Sequence, residues 1–159
     1  MNSMDIIKTI RCHPTTFQRF RGVYANDNLP KTVSLPCAVV INKDNSSGPG
    51  THWVAVYISK HRQGVYMDSL GHPPSVRVKK FLNTNCDYWC YNSQRIQHRT
   101  SILCGLFVCA FLFMMNTGHT LHQFLDLFSE NLVRNDYVVK SVVRKMCNKK
   151  NKTEHNIFS

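Results

Sequence analysis

The sequence predicts an α+β protein in which a mixed central β-sheet packs against one buried helix. Three observations carry that reading. The stretch Cys104-Gly105-Leu106-Phe107-Val108-Cys109-Ala110-Phe111-Leu112-Phe113-Met114-Met115 is apolar on every side and is closed by Asn116, Thr117 and Gly118. A helix that is hydrophobic all round has to be buried, and at about a dozen residues it falls short of the roughly 20 that a bilayer requires. The run Cys37-Ala38-Val39-Val40-Ile41 is nearly continuous in apolar side chains and of strand length, as a fully buried central strand is. The segments His52 to Ile58 and Gly64 to Asp68 are rich in β-branched and aromatic residues, and the short Lys60 to Gln63 connection makes them a hairpin.

The remaining elements fit around these. Ile6, Ile7 and Ile10 have helical spacing over Asp5 to Arg11, with Ser3 or Asp5 as N-cap, and Pro14 stops that helix. From Thr15 to Pro36, aromatic and basic residues alternate with the turn formers Gly22, Asn26, Asp27, Asn28 and Pro30, which predicts a folded loop region without regular structure. Asn45 to Gly50 is a turn. After Pro73-Pro74, a helix carries Val76, Val78, Phe81 and Leu82 inward with its basic face out, and Tyr88 to Tyr91 forms a further strand. Polar residues Asn92 to Ser101 lead into the central helix. Two amphipathic helices follow, about Leu121 to Phe128 and Asp136 to Met146. One domain is therefore expected over residues 1–147, with a basic, mobile tail over 148–159.

Composition narrows the function classes. At 159 residues with 43% hydrophobic and 11% aromatic side chains, the chain is long and apolar enough for a sizeable core, which excludes a disordered protein. The start Met1-Asn2-Ser3-Met4-Asp5 lacks the pattern of a signal peptide, and no segment has membrane-spanning length, so no membrane partner is expected. Seven cysteines, an odd number set mostly in apolar patterns, read as free thiols of an intracellular protein rather than a disulfide scaffold. Twenty Lys and Arg against nine Asp and Glu give a net charge of +11, which attracts polyanions such as DNA or simply solvates a basic surface.

Chemistry-bearing residues converge on the start of the central helix. Cys104 sits in its first turn, where free backbone N–H groups and the helix dipole favour thiolate over thiol, and Gly105 lets a substrate backbone come close. A cysteine with apolar neighbours is otherwise a small buried hydrophobe. A nucleophilic thiol needs a base, a group to orient the base, and donors for the oxyanion. His52, opening a strand after a glycine-rich turn, is placed for the first. Asp68, ending the neighbouring strand, is placed for the second. Gln97, seven residues before Cys104, has an amide that could join the Cys104 N–H as oxyanion donor. Cys86 with Cys90, and His119 with His122, have metal-ligand character, but no second cysteine pair completes a four-ligand zinc site, and no metal or small-molecule cofactor is expected.

The order His, Asp, Gln, Cys, with the cysteine last and opening a buried helix, resembles the adenovirus protease (adenain) family and, more distantly, the SUMO-specific proteases. The resemblance rests on Gly50-Thr51-His52-Trp53, on Tyr66-Met67-Asp68-Ser69-Leu70-Gly71, and on Gln94 to Gln97 through Ser101-Ile102-Leu103-Cys104-Gly105-Leu106-Phe107. With Gly22-Val23-Tyr24 and Cys37 to Asn42 it spans roughly residues 5–116. It implies His52 as general base, Asp68 as its orienting acid, Cys104 as nucleophile and Gln97 as oxyanion donor, with Trp53 packed beside the site. Adenovirus enzymes have glutamate in place of Asp68, and the region after Gly118 is shorter here, which points to a related protease of another large DNA virus or a Maverick/Polinton-type element.

That resemblance further implies a thiol endopeptidase acting on precursor proteins at small or glycine-containing sites, monomeric, and located in the virion and host nucleus. Its implied cofactors are DNA and a short basic activating peptide, the latter disulfide-linked through Cys86. Arg77, Lys79, Lys80, Arg95, Arg99, Lys149, Lys150 and Lys152 are the candidate DNA contacts. Two other readings stay open at this point: a ubiquitin-like protein deconjugase of the same fold, and a basic DNA-binding virion protein whose site is vestigial.

Overall fold

The structure, a computed structural model, describes residues 1–155, with side chains to Asn148. Its centre is a five-stranded mixed sheet in the spatial order β1-β2-β3-β4-β5. The strands are β1 (Phe20–Ala25), β2 (Cys37–Asn42), β3 (Trp53–Ile58), β4 (Gln63–Met67) and β5 (Tyr88–Tyr91). The β2–β3 and β3–β4 pairs are antiparallel, and the outer pairs β1–β2 and β4–β5 are parallel. Helices are α1 (Ser3–Arg11), α2 (Pro14–Arg19), α3 (Val76–Asn85), α4 (Cys104–Asn116), α5 (Leu121–Leu125) and α6 (Leu132–His155).

Alternation along the strands divides the core in two, because successive side chains point to opposite faces. Ala38, Val40 and Ala55 face α4, where Phe107, Val108, Phe111 and Leu112 pack with Ile6 and Ile10 of α1 and Val139 and Val143 of α6. Cys37, Val39, Ile41, Val54, Val56 and Ile58 face the other way, against Val78, Phe81 and Leu82 of α3. Helix α4 is thus enclosed by sheet, α1 and α6, the environment that its all-round apolar surface demands.

Four expectations are corrected. Residues 15–36 are not all loop. Pro14 occupies the first turn of α2, where its missing N–H costs nothing, and the His13 ring accepts from Thr16 N–H at 3.2 Å as the cap. Strand β1 then pairs along β2 while remaining half-buried throughout, so it lacks the apolar run that marks an interior strand. At the amino end of α1 the cap is Asn2, which forms a capping box with Asp5, rather than Ser3 or Asp5. Helix α5 is shorter than the 121–128 expected, and α6 starts before Asp136 and runs to His155, through the start of the stretch read as a tail. Residues 156–159 lie outside the described residues.

Phe111 is fully buried and meets Phe124 edge-on at 5.5 Å between ring centroids. Phe111→Ala is expected to lower the unfolding free energy by about 3–5 kcal/mol, the range for removing a buried phenyl ring, as measured by denaturant titration. A loss below 1 kcal/mol would contradict this core.

Candidate active site

His52 immediately precedes β3 and Asp68 immediately follows β4. The antiparallel register Ala55↔Met67 sets the start of one strand beside the end of the other, so the flanking residues meet. His52 Nε2 lies 2.7 Å from Asp68 Oδ1. On the far side of β3, Asn42 pairs with Trp53, which brings Lys43 opposite His52, and Lys43 N–H donates to the His52 carbonyl at 3.0 Å. From there Lys43 Nζ reaches Asp68 Oδ2 at 3.3 Å, and His72 Nδ1 stands 3.9 Å from the same oxygen.

Asp68 has no solvent exposure. Its Oδ1 also accepts from Leu70 N–H at 2.9 Å. Its main chain is clamped by the buried Asn92, whose Oδ1 accepts from Asp68 N–H at 3.0 Å and whose Nδ2 donates to the Asp68 carbonyl at 2.6 Å. Burial alone would raise the Asp68 carboxyl, but the bond from His52, the Leu70 N–H and the Lys43 ammonium hold it below its ordinary value.

Cys104 opens α4, is 9% exposed, and belongs to the core cluster on that face of the sheet. The preceding Leu103 supplies no side-chain cap, which leaves first-turn N–H groups without a side-chain acceptor. The thiol interacts with the His52 ring and with the N–H groups of Trp53 and Gly105. Because Nε2 of His52 is engaged by Asp68, Nδ1 is the ring nitrogen left for sulfur. Burial opposes ionisation of Cys104, yet His52 and the two N–H donors bring the thiol below its ordinary value. Burial also opposes an imidazolium, but Asp68 and Cys104 push His52 up to about 9. The two shifts run in opposite directions, the thiol down and the imidazole up, and both favour the charged forms of the two groups.

Gln97 is 2% exposed and rigidly held. Its Oε1 accepts from Ser69 Oγ–H, and its Nε2 donates to the Ser101 carbonyl at 2.7 Å, using one of the two amide hydrogens. The Ser69 carbonyl in turn accepts from Ile96 N–H and Gln97 N–H at 2.9 and 3.0 Å. Helix α6 steadies this loop, since Asn135 Nδ2 donates to the Ile96 carbonyl and Ser101 Oγ–H donates to Asp136 Oδ1, both at 3.0 Å. Gly71, with φ +77°, permits the contact between the Asp68 turn and that loop: a Cβ there would lie 2.8 Å from the Ser93 carbonyl oxygen.

One expectation about this site changes. The space over Gly105, read as an approach for substrate backbone, is filled by Met1, whose sulfur would stand 2.9 Å from a Cβ at Gly105. Trp53 Nε1–H donates to the Met1 carbonyl at 3.1 Å. Cys86 is 6% exposed, and burial pushes its thiol up to about 11. Arg77, Lys79 and Lys80 stand exposed on α3, Arg99 is exposed and Arg95 half-buried. The side chains of Lys149, Lys150 and Lys152 lie outside the described residues. Among the described residues, no three His, Cys, Asp or Glu side chains cluster as metal ligands.

Lys43, Ser69, Asn92 and Asn135 were missed in the sequence. Lys43 follows the strand Cys37 to Asn42, whose pairing with β3 the sequence alone did not assign. Ser69 stood inside a quoted motif without a role. Asn92 and Asn135 act through main-chain contacts 24 and 39 residues away, which no local pattern announces.

Five mixed strands with a helix bearing a cysteine on one face and a second helix on the other make up an α+β architecture. The pS273R protease of ASFV has this architecture, with a TM-score of 0.62 and 15% identity over 87% of this chain. The chain spans 65% of that protein's length. Other similar solved structures are ChlaDub1 of Chlamydia trachomatis, at TM-score 0.49 and 16% identity over 93% of this chain and 78% of that one, and the central domain of the uncharacterized Lpg1148 protein of Legionella pneumophila, at 0.41 and 18% over 82% and 88%. No protein-family model and no curated protein matches the chain.

If the thiol is held ionised, Cys104 should be alkylated by iodoacetamide at pH values below its ordinary 9.0, ahead of Cys86 and Cys109, whose thiols burial pushes upward. Peptide mapping against pH measures this directly. His52→Ala should move the alkylation midpoint of Cys104 upward, and an unmoved midpoint would show that the ring does not hold the thiolate.

Proposed function

We propose that the protein is a cysteine endopeptidase in which Cys104 is the nucleophile, His52 the general base and acid, Asp68 its orienting carboxylate and Gln97 an oxyanion donor. The observation that carries the reading is the His52 ring bound to the buried Asp68 at 2.7 Å, with Cys104 near enough that the ring and the thiol shift each other, the thiol down and the imidazole up. The likeness in fold to the ASFV pS273R protease supports the same reaction class.

In this reading the Cys104 thiolate attacks a peptide carbonyl carbon, and the carbonyl oxygen becomes an oxyanion that accepts from the Cys104 N–H and from the second hydrogen of Gln97 Nε2. The His52 imidazolium gives its Nδ1 proton to the leaving amine. The neutral ring then takes a proton from water, the hydroxide attacks the thioester, and Cys104 is released as thiolate with the proton on His52. Substrate entry displaces Met1 from over Gly105. The substrates are precursor proteins cut at small or glycine-containing sites. The charge of +11 supports DNA as a partner bound through its backbone, with affinity that falls steeply as salt rises. An activating peptide joined through Cys86 would first require that thiol to be uncovered.

Cys104→Ala and His52→Ala should each abolish cleavage of a fluorogenic peptide, whereas Cys109→Ser, inside the core, should act on stability. Full activity in Cys104→Ala would end the proposal. Gln97→Ala should lower kcat on the order of 100-fold to 1,000-fold with KM little changed, and Gln94→Ala should do little.

The pH profile follows from the two shifts. Activity rises as pH climbs through the lowered Cys104 value, because thiolate forms. It falls as pH climbs through about 9, because the imidazolium that protonates the leaving amine is lost. A kcat/KM profile still rising above that point would contradict the assignment.

A further inference from the structure

On the sheet face opposite α4, a cavity of about 460 Å³ lies between α3 and the loop that follows β1. That volume falls within the range of ligand sites, roughly 300–1,000 Å³. Its α3 wall is Arg77, Lys80, Phe81 and Thr84, which share one helix face by their spacing of three and four. The facing wall is Asn26, Asp27, Leu29, Pro30 and Lys31.

The two walls are tied together at both ends. Ser75, the N-cap of α3, donates its hydroxyl to Asn26 Oδ1 at 2.7 Å. Asn85, the last residue of α3 and buried, donates to the Lys31 carbonyl at 3.1 Å and accepts from Val33 N–H at 3.1 Å. The cavity sits between these ties, so it is preformed rather than a gap left by a loose loop.

Its chemistry has two parts. Leu29, Pro30 and Phe81 give an apolar floor. Lys31, Arg77 and Lys80 give three cations against one carboxylate, Asp27, whose oxygens accept from Ser46 N–H at 2.7 Å and from Ser46 Oγ–H at 2.9 Å and whose charge acts on Arg77, so a net positive charge remains for a ligand. A ligand matching this site carries negative charge beside a bulky apolar group. Nucleic acid matches less well, because an apolar concavity gains nothing from a phosphate track.

We propose that this groove is a binding site for an acidic peptide segment of another protein, with one large apolar side chain seated on Leu29, Pro30 and Phe81 and flanking carboxylates paired to Lys31, Arg77 and Lys80. It is separate from the cysteine site, which draws on α4 and the opposite face of the sheet. The proposal therefore stands whether or not the chain is a protease.

The test is binding of the intact protein to an array of short peptides in which Asp and Glu flank a single Leu, Ile, Met, Phe or Trp. Matched controls have the acids changed to Asn and Gln, or the apolar residue changed to Ser. Members of the array should bind, and both control sets should fail. The double variant Arg77→Glu with Lys80→Glu, both exposed, should weaken binding by roughly tenfold or more while leaving the melting temperature unchanged. Leu29→Asp gives an independent loss through the floor. Three outcomes would overturn the proposal: no array member binding above its controls; neutral peptides binding as well as acidic ones; or the double variant losing affinity for single-stranded or duplex oligonucleotides while keeping it for peptides, which would make the groove a nucleic-acid surface.

Discussion

Everything at the cysteine site depends on keeping one carboxylate charged where no water reaches it. An isolated ionised Asp68 would be costly at zero exposure, and breaking a buried pair by removing one partner typically costs about 3–5 kcal/mol. The fold meets that cost from three directions: the His52 ring on one oxygen, Lys43 on the other, and the Leu70 N–H from the turn that follows. Each partner comes from a different segment, so β2, β3 and the end of β4 have to be in register before the charge is tolerated. The same compensation fixes His52 with Nδ1 toward sulfur. It also gives the site a pH signature in stability: the raised His52 contributes fully below its ordinary 6.5 and is lost as pH rises through about 9, while the lowered Asp68 contributes above its ordinary 3.8 and is lost as pH falls through its own value.

Gln97, the proposed oxyanion donor, is held by a separate set of contacts. Gln97 approaches the start of α4 on a loop with little secondary structure of its own, and its position is over-determined by Ser69, Ser101 and, through Asn135 and Asp136, the start of α6. Helix α6 therefore has two duties, closing the core over α4 and holding the loop that carries Gln97. A residue buried this deeply, with its amide plane fixed by two partners, is pre-organised in the way that transition-state stabilisation requires. Met1 stands in contrast to that rigidity. It is exposed and covers Gly105 through one hydrogen bond, from Trp53, and side-chain contact.

Much of this was legible in the sequence for physical reasons. The all-round apolar surface of Cys104 to Met115 could only be a buried helix, and the runs at Cys37 and Trp53 could only be interior strands. The short connection between the strands beside His52 and Asp68 allowed a hairpin that brings the two residues near each other, and its register came from the structure. What escaped detection was set by tertiary pairing. Strand β1 is half-buried along its whole length and has no apolar run, and Pro14 could equally end one helix or begin the next. The pairing of Cys104 with His52 was an expectation from the family resemblance, whereas the contacts of Asn92 and Asn135 rest on main-chain groups that sequence does not display. The groove on α3 was visible only as basic residues with helical spacing, and its other wall came from a loop that composition described as irregular.

The central claim is that Cys104 attacks carbonyl carbon because His52 and Asp68 hold it as a thiolate. A peptide aldehyde ending in glycine tests this most directly, since it forms a hemithioacetal with an attacking thiolate and that adduct can be trapped and located by nuclear magnetic resonance or crystallography. The account predicts one adduct, on Cys104, with its oxygen between the Cys104 N–H and the Gln97 amide, and with formation weakened in Asp68→Asn. An adduct on a different cysteine, or none on a folded protein whose Cys104 is free, would contradict it.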